Sequence, residues 1–242
     1  MPDHYAVDLE HVSRIYKRDE FEVRALDDVT IKVPESRFVA IMGPSGSGKT
    51  TMLNLIAGID HATSGRVAVG NEEITTMKEA ELAAWRARHI GLVFQFYNLI
   101  PVLTAFENVE LPLLLTPLKK AERRAHVEVA LKAVGLADRM AHYPRQLSGG
   151  QEQRVAIARA IVTDPTIVVA DEPTGDLDAT SAEDILNLLS DLNHHFHKTI
   201  VMVTHDMRAE RFVETIFRLD KGVLVGVEAG KAAQPVAATA TS

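Results

Sequence analysis

Eight residues, Gly43 to Thr50 in the order GPSGSGKT, restrict the fold of this chain more than any others. They match the pattern G-x-x-x-x-G-K-[ST]. The apolar run RFVAIM precedes them, and TTMLNLIAG follows with helical periodicity and a stop at Gly58. A buried strand, a glycine loop and a helix are therefore expected in that order. In such a loop backbone N–H groups converge on phosphate oxygens where a Cβ would obstruct, and the helix aims its positive end at the same anion. Gly43, Pro44, Ser45, Gly46, Ser47 and Gly48 are expected to wrap the phosphates of a nucleotide. Lys49 would reach the β- and γ-phosphates, the Thr50 hydroxyl would ligate magnesium, and Thr51 would join the same site. A plain glycine-rich turn is the bland alternative, and it leaves the flanking strand and helix unexplained.

The remaining chain alternates strands with helices. Tyr5 to Val33 reads as strands with a turn-prone Asp27-Asp28 inside, and SGRVAVGNEEI as a short exposed hairpin. Glu79 to Arg88 is helical in pattern, and IGLVFQ is a buried strand. Pro101 to about Arg139 is mostly helical, with Gly135 as a cap or break, and a helix runs from Ser148 to about Val162. TIVVAD, the amphipathic SAEDILNLLSDL and TIVMVTHD give strand, helix and strand. This order implies an α/β fold with a mainly parallel sheet covered on both faces. The helical insert around 96–150 interrupts the alternation. No internal repeat is visible, and 229–242, rich in Ala, Thr, Pro and Gln, reads as a disordered tail.

TIVVADE puts Asp171 and Glu172 at the C-terminal end of a buried strand, where open α/β sheets bind ligands. Phosphoryl transfer needs mainly positioning and charge neutralisation. One carboxylate on the metal, Asp171, and one on the attacking water, Glu172, suffice. Without the phosphate loop the pair would read as solvated acids opening a turn.

LSGGQ at 147–151 names the family. Together with GPSGSGKT and VVADEPTGDLD, it makes the chain resemble the ATPase subunits of ABC transporters over roughly residues 5–228. Ser148, Gly149, Gly150 and Gln151 open a helix, another N-terminal anion site. In the family this segment faces the phosphate loop of a second subunit, so two ATP molecules are buried between two copies. The resemblance further implies that Tyr16 stacks on adenine and that Gln95 senses magnesium and the attacking water. It also implies that Asp178 belongs to the loop joining the subunits and that His205 contacts the γ-phosphate. The catalytic set is then Glu172, His205, Gln95 and Lys49, and the magnesium ligands are Thr50, Gln95 and Asp171.

The implied architecture is a P-loop NTPase core, a small antiparallel β subdomain at about 5–36 and 64–75, and an inserted helical subdomain at about 96–155. FQFYNLIPVLTAFENVELPL looks most like the branch of lipoprotein-release, macrolide-efflux and cell-division ATPases. Members contact an integral membrane permease there, so Pro101, Leu103, Phe106 and Leu111 are either contact residues or helical core. Glu152 and Asp176 depart from the commoner Gln and Asn, and Phe96 and Tyr97 from the usual pair.

Composition narrows the partners. The net charge of −7 argues against a nucleic-acid binder. Without cysteine there is no disulfide, thiolate chemistry or cysteine zinc site. No secretory signal is visible, and no run approaches the ~18 apolar residues of a membrane span. The expected place is the cytoplasmic face of the inner (plasma) membrane, held through a permease. A soluble ABC ATPase of DNA repair or translation is the alternative, against which stand the absence of a coiled-coil insert and of a second set of motifs. A different transporter branch and a non-catalytic regulatory subunit are further alternatives. His194, His195 and His197 sit at a helix end without carboxylate or cysteine in ligand spacing. They read as a solvated terminus, as KKAERR at 119–124 reads as a solvated helix face.

Overall fold

The computed structural model describes residues 5–18 and 21–233. In chain order they form β1 (Tyr5–Arg18), β2 (Phe21–Pro34), β3 (Phe38–Met42), α1 (Lys49–Ile56), β4 (Ser64–Val69), β5 (Glu72–Glu73), α2 (Glu79–His89), β6 (Ile90–Val93), α3 (Ala105–Glu110), α4 (Lys120–Ala133), α5 (Gly149–Ile161), β7 (Ile167–Asp171), α6 (Ala179–Phe196), β8 (Thr199–Thr204), β9 (Thr215–Asp220) and β10 (Val223–Ala229). Two sheets result, β10-β9-β3-β8-β7-β6 and β2-β1-β4-β5. In the first, β9, β3, β8, β7 and β6 pair in parallel and β10 is antiparallel; the second is antiparallel throughout.

The central strands are apolar along their whole length because both faces are covered. Every residue of β3 and of β8 is buried. Side chains alternate between faces, so each strand feeds two cores. Phe38, Ala40, Met42, Ile200 and Met202 pack with Val109, Leu131, Val155 and Leu189 of the helices on one side. Val39, Ile41, Val201 and Val203 pack with Leu53, Ile56 and Trp85, and with Leu9 and Val29 of the antiparallel sheet, on the other.

Asp27-Asp28 is not a reversal. It lies inside β2, where both residues oppose Ser13 as a bulge, Asp28 takes φ 52°, and its N–H donates to Ser13 Oγ. The turn chemistry of Asp is spent on an αL residue and a local kink. The 101–139 region is less helical than its pattern, because Pro112 opens a 3-10 turn over Leu111–Leu115 between α3 and α4. Fully buried Asn108 organises the loop before α3: its amide donates to the carbonyls of Ile100, Leu103 and Thr104 and accepts from the Ile100 N–H. At the other end of α4, Gly135 takes φ 75° and its N–H closes onto Lys132 O, a helix stop.

The order of the chain extends past the expected start of the tail. Ala229 ends β10, Gly230 N–H donates to Glu214 O, Ala232 N–H to Val213 O, and Lys231–Ala233 forms a 3-10 turn. Backbone pairing with the 213–214 segment holds this stretch despite its small side chains. The rest of the expected tail, 234–242, lies outside the described residues.

Candidate functional site

The loop from Gly43 to Gly48 leaves the end of β3 and enters α1 at Lys49. Gly48 takes φ 99°, and a Cβ on it would stand 2.3 Å from Ala25 O, so only glycine fits between the loop and β2. Gly43 is held for the second reason alone, since its Cβ would meet Leu219 O at 2.0 Å. Lys49 is buried to 9% exposure and folds back over the loop, donating to Gly43 O and Pro44 O, both at 2.9 Å. Its ammonium is thereby held over the concavity that the loop encloses.

A cleft of about 640 Å³ opens above the loop. Ser45, Gly46, Gly48, Lys49, Thr50 and Thr51 line it, joined from elsewhere in the sheet by Gln95, Glu172 and His205. The structure thus gathers at one place residues up to 160 positions apart, because β3, β7 and β8 are neighbours and their C-terminal ends point the same way. Gln95 follows β6 and packs on Gly175, whose Cβ would meet the Gln95 amide at 2.9 Å. Val23, Arg24 and Ala25 complete the wall. Sequence reading missed these three; no local pattern marks them, and only the path of β2 beside the loop brings them there.

The acidic pair divides in character. Burial pushes the Asp171 carboxyl up, the Glu172 charge adds to this, and the Lys49 ammonium opposes it. Glu172 occupies the left-handed region at φ 46°, uncommon for a non-glycine residue. Its N–H donates to Val203 O, which ties the strained residue to β8. Its carboxylate accepts from His205 Nδ1 at 2.9 Å and from the His205 backbone N–H at 3.3 Å. His205 itself is open to the cleft, its side chain 73% exposed. A carboxylate, an imidazole bonded to it and an ammonium around one concavity are groups able to act on a bound phosphoanhydride.

Ser148, Gly149, Gly150, Gln151, Asp178 and Tyr16 lie outside this cleft within the single chain, and Gly43, Pro44, Ser47 and Asp171 do not line it directly. Ser148 caps α5: its hydroxyl accepts from Gln151 N–H while the Gln151 side chain accepts from Ser148 N–H. Ser148 is exposed at the surface, and Gly149, Gly150 and Gln151 after it are half-buried. Gly149 lies against the Tyr97 hydroxyl, where a Cβ would sit 2.9 Å away. Burial, followed by the charges of Asp176 and Glu152, holds the Tyr97 phenol above its usual range. Asp178 caps α6, accepting from Thr180 N–H, Ser181 N–H and Ser181 Oγ, and these bonds hold its carboxyl below the usual range.

Tyr16 pairs across the sheet with Val23, so it shares the face that borders the cleft, but it does not line the cleft itself. The Arg14 guanidinium covers its ring at 4.4 Å, and its hydroxyl donates to Asp60 at 2.7 Å. Burial pushes the Asp60 carboxyl up, yet the Tyr16 hydroxyl, the His61 amide and Arg14 outweigh it and hold the group below the usual range. A depressed carboxyl pKa contributes stability above the unfolded-state value and loses it as pH falls through the folded one. Tyr16→Phe is therefore expected to cost about 0.5–1 kcal/mol at pH 7. The gap to wild type should close as pH falls below about 4. Urea unfolding across that pH range measures it.

The histidines at the end of α6 bond locally. His194 Nδ1 meets Ser190 O and Oγ, and His197 ends the helix at φ 53°. Arg123 of the basic run is less solvated than its pattern suggests, pairing with Glu110 at 2.8 Å and donating to Leu118 O.

Known proteins match the chain over most of its length. The family model described as ABC transporter matches residues 26–175. An uncharacterized ABC transporter ATP-binding protein of Thermotoga maritima is 46% identical over 92% of this chain and 94% of its own length. The macrolide export ATP-binding/permease protein MacB of Bradyrhizobium diazoefficiens is 43% identical over 95% of this chain, which spans only 35% of that protein. Among solved structures, the dimeric post-hydrolysis state of the ATP-binding cassette MJ0796 bound to ADP and Pi is 46% identical. It superimposes with a TM-score of 0.84, over 92% of this chain and 98% of that one.

Proposed function

The chain belongs to the ABC transporter ATP-binding family and is an ATPase, and from that premise we propose how its residues work and what they drive. Two copies close on two ATP molecules, each Ser148 segment covering the nucleotide held by the other copy's phosphate loop. One observation carries this reading. The phosphate loop, Gln95, Glu172 and His205 share a cleft, whereas exposed Ser148 and the half-buried start of α5 do not line it. In the closed pair a second copy would bring its nucleotide to this helix start. The relation to the dimeric MJ0796 cassette supports the same stoichiometry.

Within the closed site Lys49 and the loop amides hold the phosphates, and Tyr16 stacks on the base. Glu172 accepts a proton from the attacking water, and His205 and Gln95 orient the water and the terminal phosphate. The donor set suits magnesium, which the Thr50 hydroxyl, the Gln95 amide oxygen and, through water, the Asp171 carboxylate would hold beside the nucleotide. Among the described residues no group of three or more His, Asp or Glu side chains could hold a metal unaided. The ion, when bound, would neutralise charge building on the transferred phosphoryl group. Closure excludes water and completes the site.

The driven partner is an integral membrane permease of the lipoprotein-release or macrolide-efflux type, and the likeness to MacB supports this branch. No helix among the described residues is long and apolar enough to cross a membrane. The association we propose with the membrane is peripheral, through that permease, on the cytoplasmic face. Phe96, Ile100, Val102, Leu114 and Leu115 expose apolar surface near a groove of about 540 Å³ that runs between α2 and α5. Of the two residues after Gln95, Phe96 points outward at 68% exposure, while Tyr97 turns inward to Gly149. A photoreactive residue at Phe96 is expected to capture a permease with few spans and a large extracytoplasmic domain. Capture of a many-span importer, or only of soluble protein, would refute the branch.

A further inference from the structure

We propose that Gln153 is a positioning residue for hydrolysis, the tie through which α5 fixes the backbone on both sides of the water-activating groups; this rests on the roles given above to Gln95 and Glu172. Gln153 lies one turn after Ser148 and is fully buried. Its side-chain amide spends both N–H groups on backbone carbonyls, Phe94 O at 3.2 Å and Pro173 O at 2.6 Å. Phe94 directly precedes Gln95, and Pro173 directly follows Glu172. The two carbonyls belong to the segments leaving β6 and β7, which are adjacent and pair Val93 with Ala170 at that end.

The amide thus bridges two neighbouring strand ends from a helix that belongs to neither. Its own oxygen is buried without a partner. A planar amide with two fixed donors cannot follow a shift of α5 without stretching one bond or both. The helix that presents Ser148, Gly149 and Gly150 is therefore locked to the residues that present Gln95 and Glu172. When a second copy presses its nucleotide against the N-terminus of α5, the displacement is delivered to the catalytic segments rather than absorbed between helix and sheet.

Steady-state ATPase kinetics of the purified 242-residue chain carrying Gln153→Met test this. Methionine keeps the length and volume but donates nothing. Because Gln153 does not line the cleft, kcat is expected to fall about 10- to 100-fold through misplacement of the reacting groups, with KM for ATP within about threefold of wild type. Gln153→Asn keeps both donors one methylene short of their carbonyls. The same split is expected of it, and it replaces the methionine variant if that one does not fold. A folded variant with kcat within about twofold of wild type, or a loss carried by KM alone, overturns the proposal. Glu172→Gln is assayed alongside. If that variant also hydrolyses ATP normally, the reading of the site has failed. An inactive Glu172→Gln beside a fully active Gln153→Met refutes the tie alone.

Discussion

Glu172→Gln is expected to lower ATP turnover about a thousandfold, within the range that a positioned general base contributes, while ATP binding survives. Glutamine preserves the shape of the side chain and its oxygen can still accept from His205 Nδ1, so the left-handed turn at position 172 and its bond to Val203 persist. Only the proton acceptor is lost. Lys49, the loop amides and the Ser148 segment are untouched, so every group assigned to nucleotide binding and closure remains. A closed dimer that forms but cannot hydrolyse should accumulate. Light scattering on a sizing column, with ATP and magnesium, is expected to give twice the monomer mass for the variant. The wild type should show the dimer only transiently. Normal turnover in the variant would remove Glu172 from the role of base and leave the water to another group of the cleft.

Lys49→Ala is expected to act one step earlier. The ammonium does two things at once: it supplies positive charge where the terminal phosphates sit, and it staples the loop through Gly43 O and Pro44 O. Alanine removes both. Hydrogen bonds to charged groups are worth about 1.5–3 kcal/mol each, so affinity for ATP should fall about 100-fold and hydrolysis by about a thousandfold or more. Isothermal titration and a phosphate-release assay separate the two losses. No dimer is expected from the double variant with Glu172→Gln. A Lys49→Ala chain that still supported its transporter would instead argue for a non-catalytic regulatory subunit.

The site was legible in the sequence where one short segment does one job with its own backbone. GPSGSGKT, LSGGQ and VVADE each carry their geometry locally, in glycines, caps and strand ends, and the structure brings the first and third of them to one cleft with Gln95 and His205. The parts left unread depend on partners far away in sequence. Val23 to Ala25 form a wall only because β2 runs beside the phosphate loop. β9 and β10 lie past the last strand that the pattern picks out: β9 buries Ile216, Phe217 and Leu219, while β10, at the sheet edge, keeps Val223, Val225 and Val227 exposed. Asp27-Asp28 has the chemistry of a turn, and pairing with β1 converts it into a bulge. The order through Ala233 comes from backbone bonds to the 213–214 segment, which side-chain composition does not encode.

The central claim is that the Ser148 segment of one copy completes the nucleotide site of the other. Mixing two defective chains tests it directly. One carries Lys49→Ala, with no working phosphate loop. The other carries Ser148→Asp, which keeps the helix cap but sets a negative charge against the terminal phosphate. Each is expected to be inactive alone. In a mixed dimer, the intact phosphate loop of the second chain faces the intact Ser148 segment of the first, so one whole site is rebuilt. ATP hydrolysis should then reappear on mixing, up to about a quarter of the wild-type rate at equal amounts if dimers form at random. If each chain instead used its own Ser148 segment, no mixture would contain a whole site. Activity that never rises above that of the separate chains, at any ratio, would contradict the account.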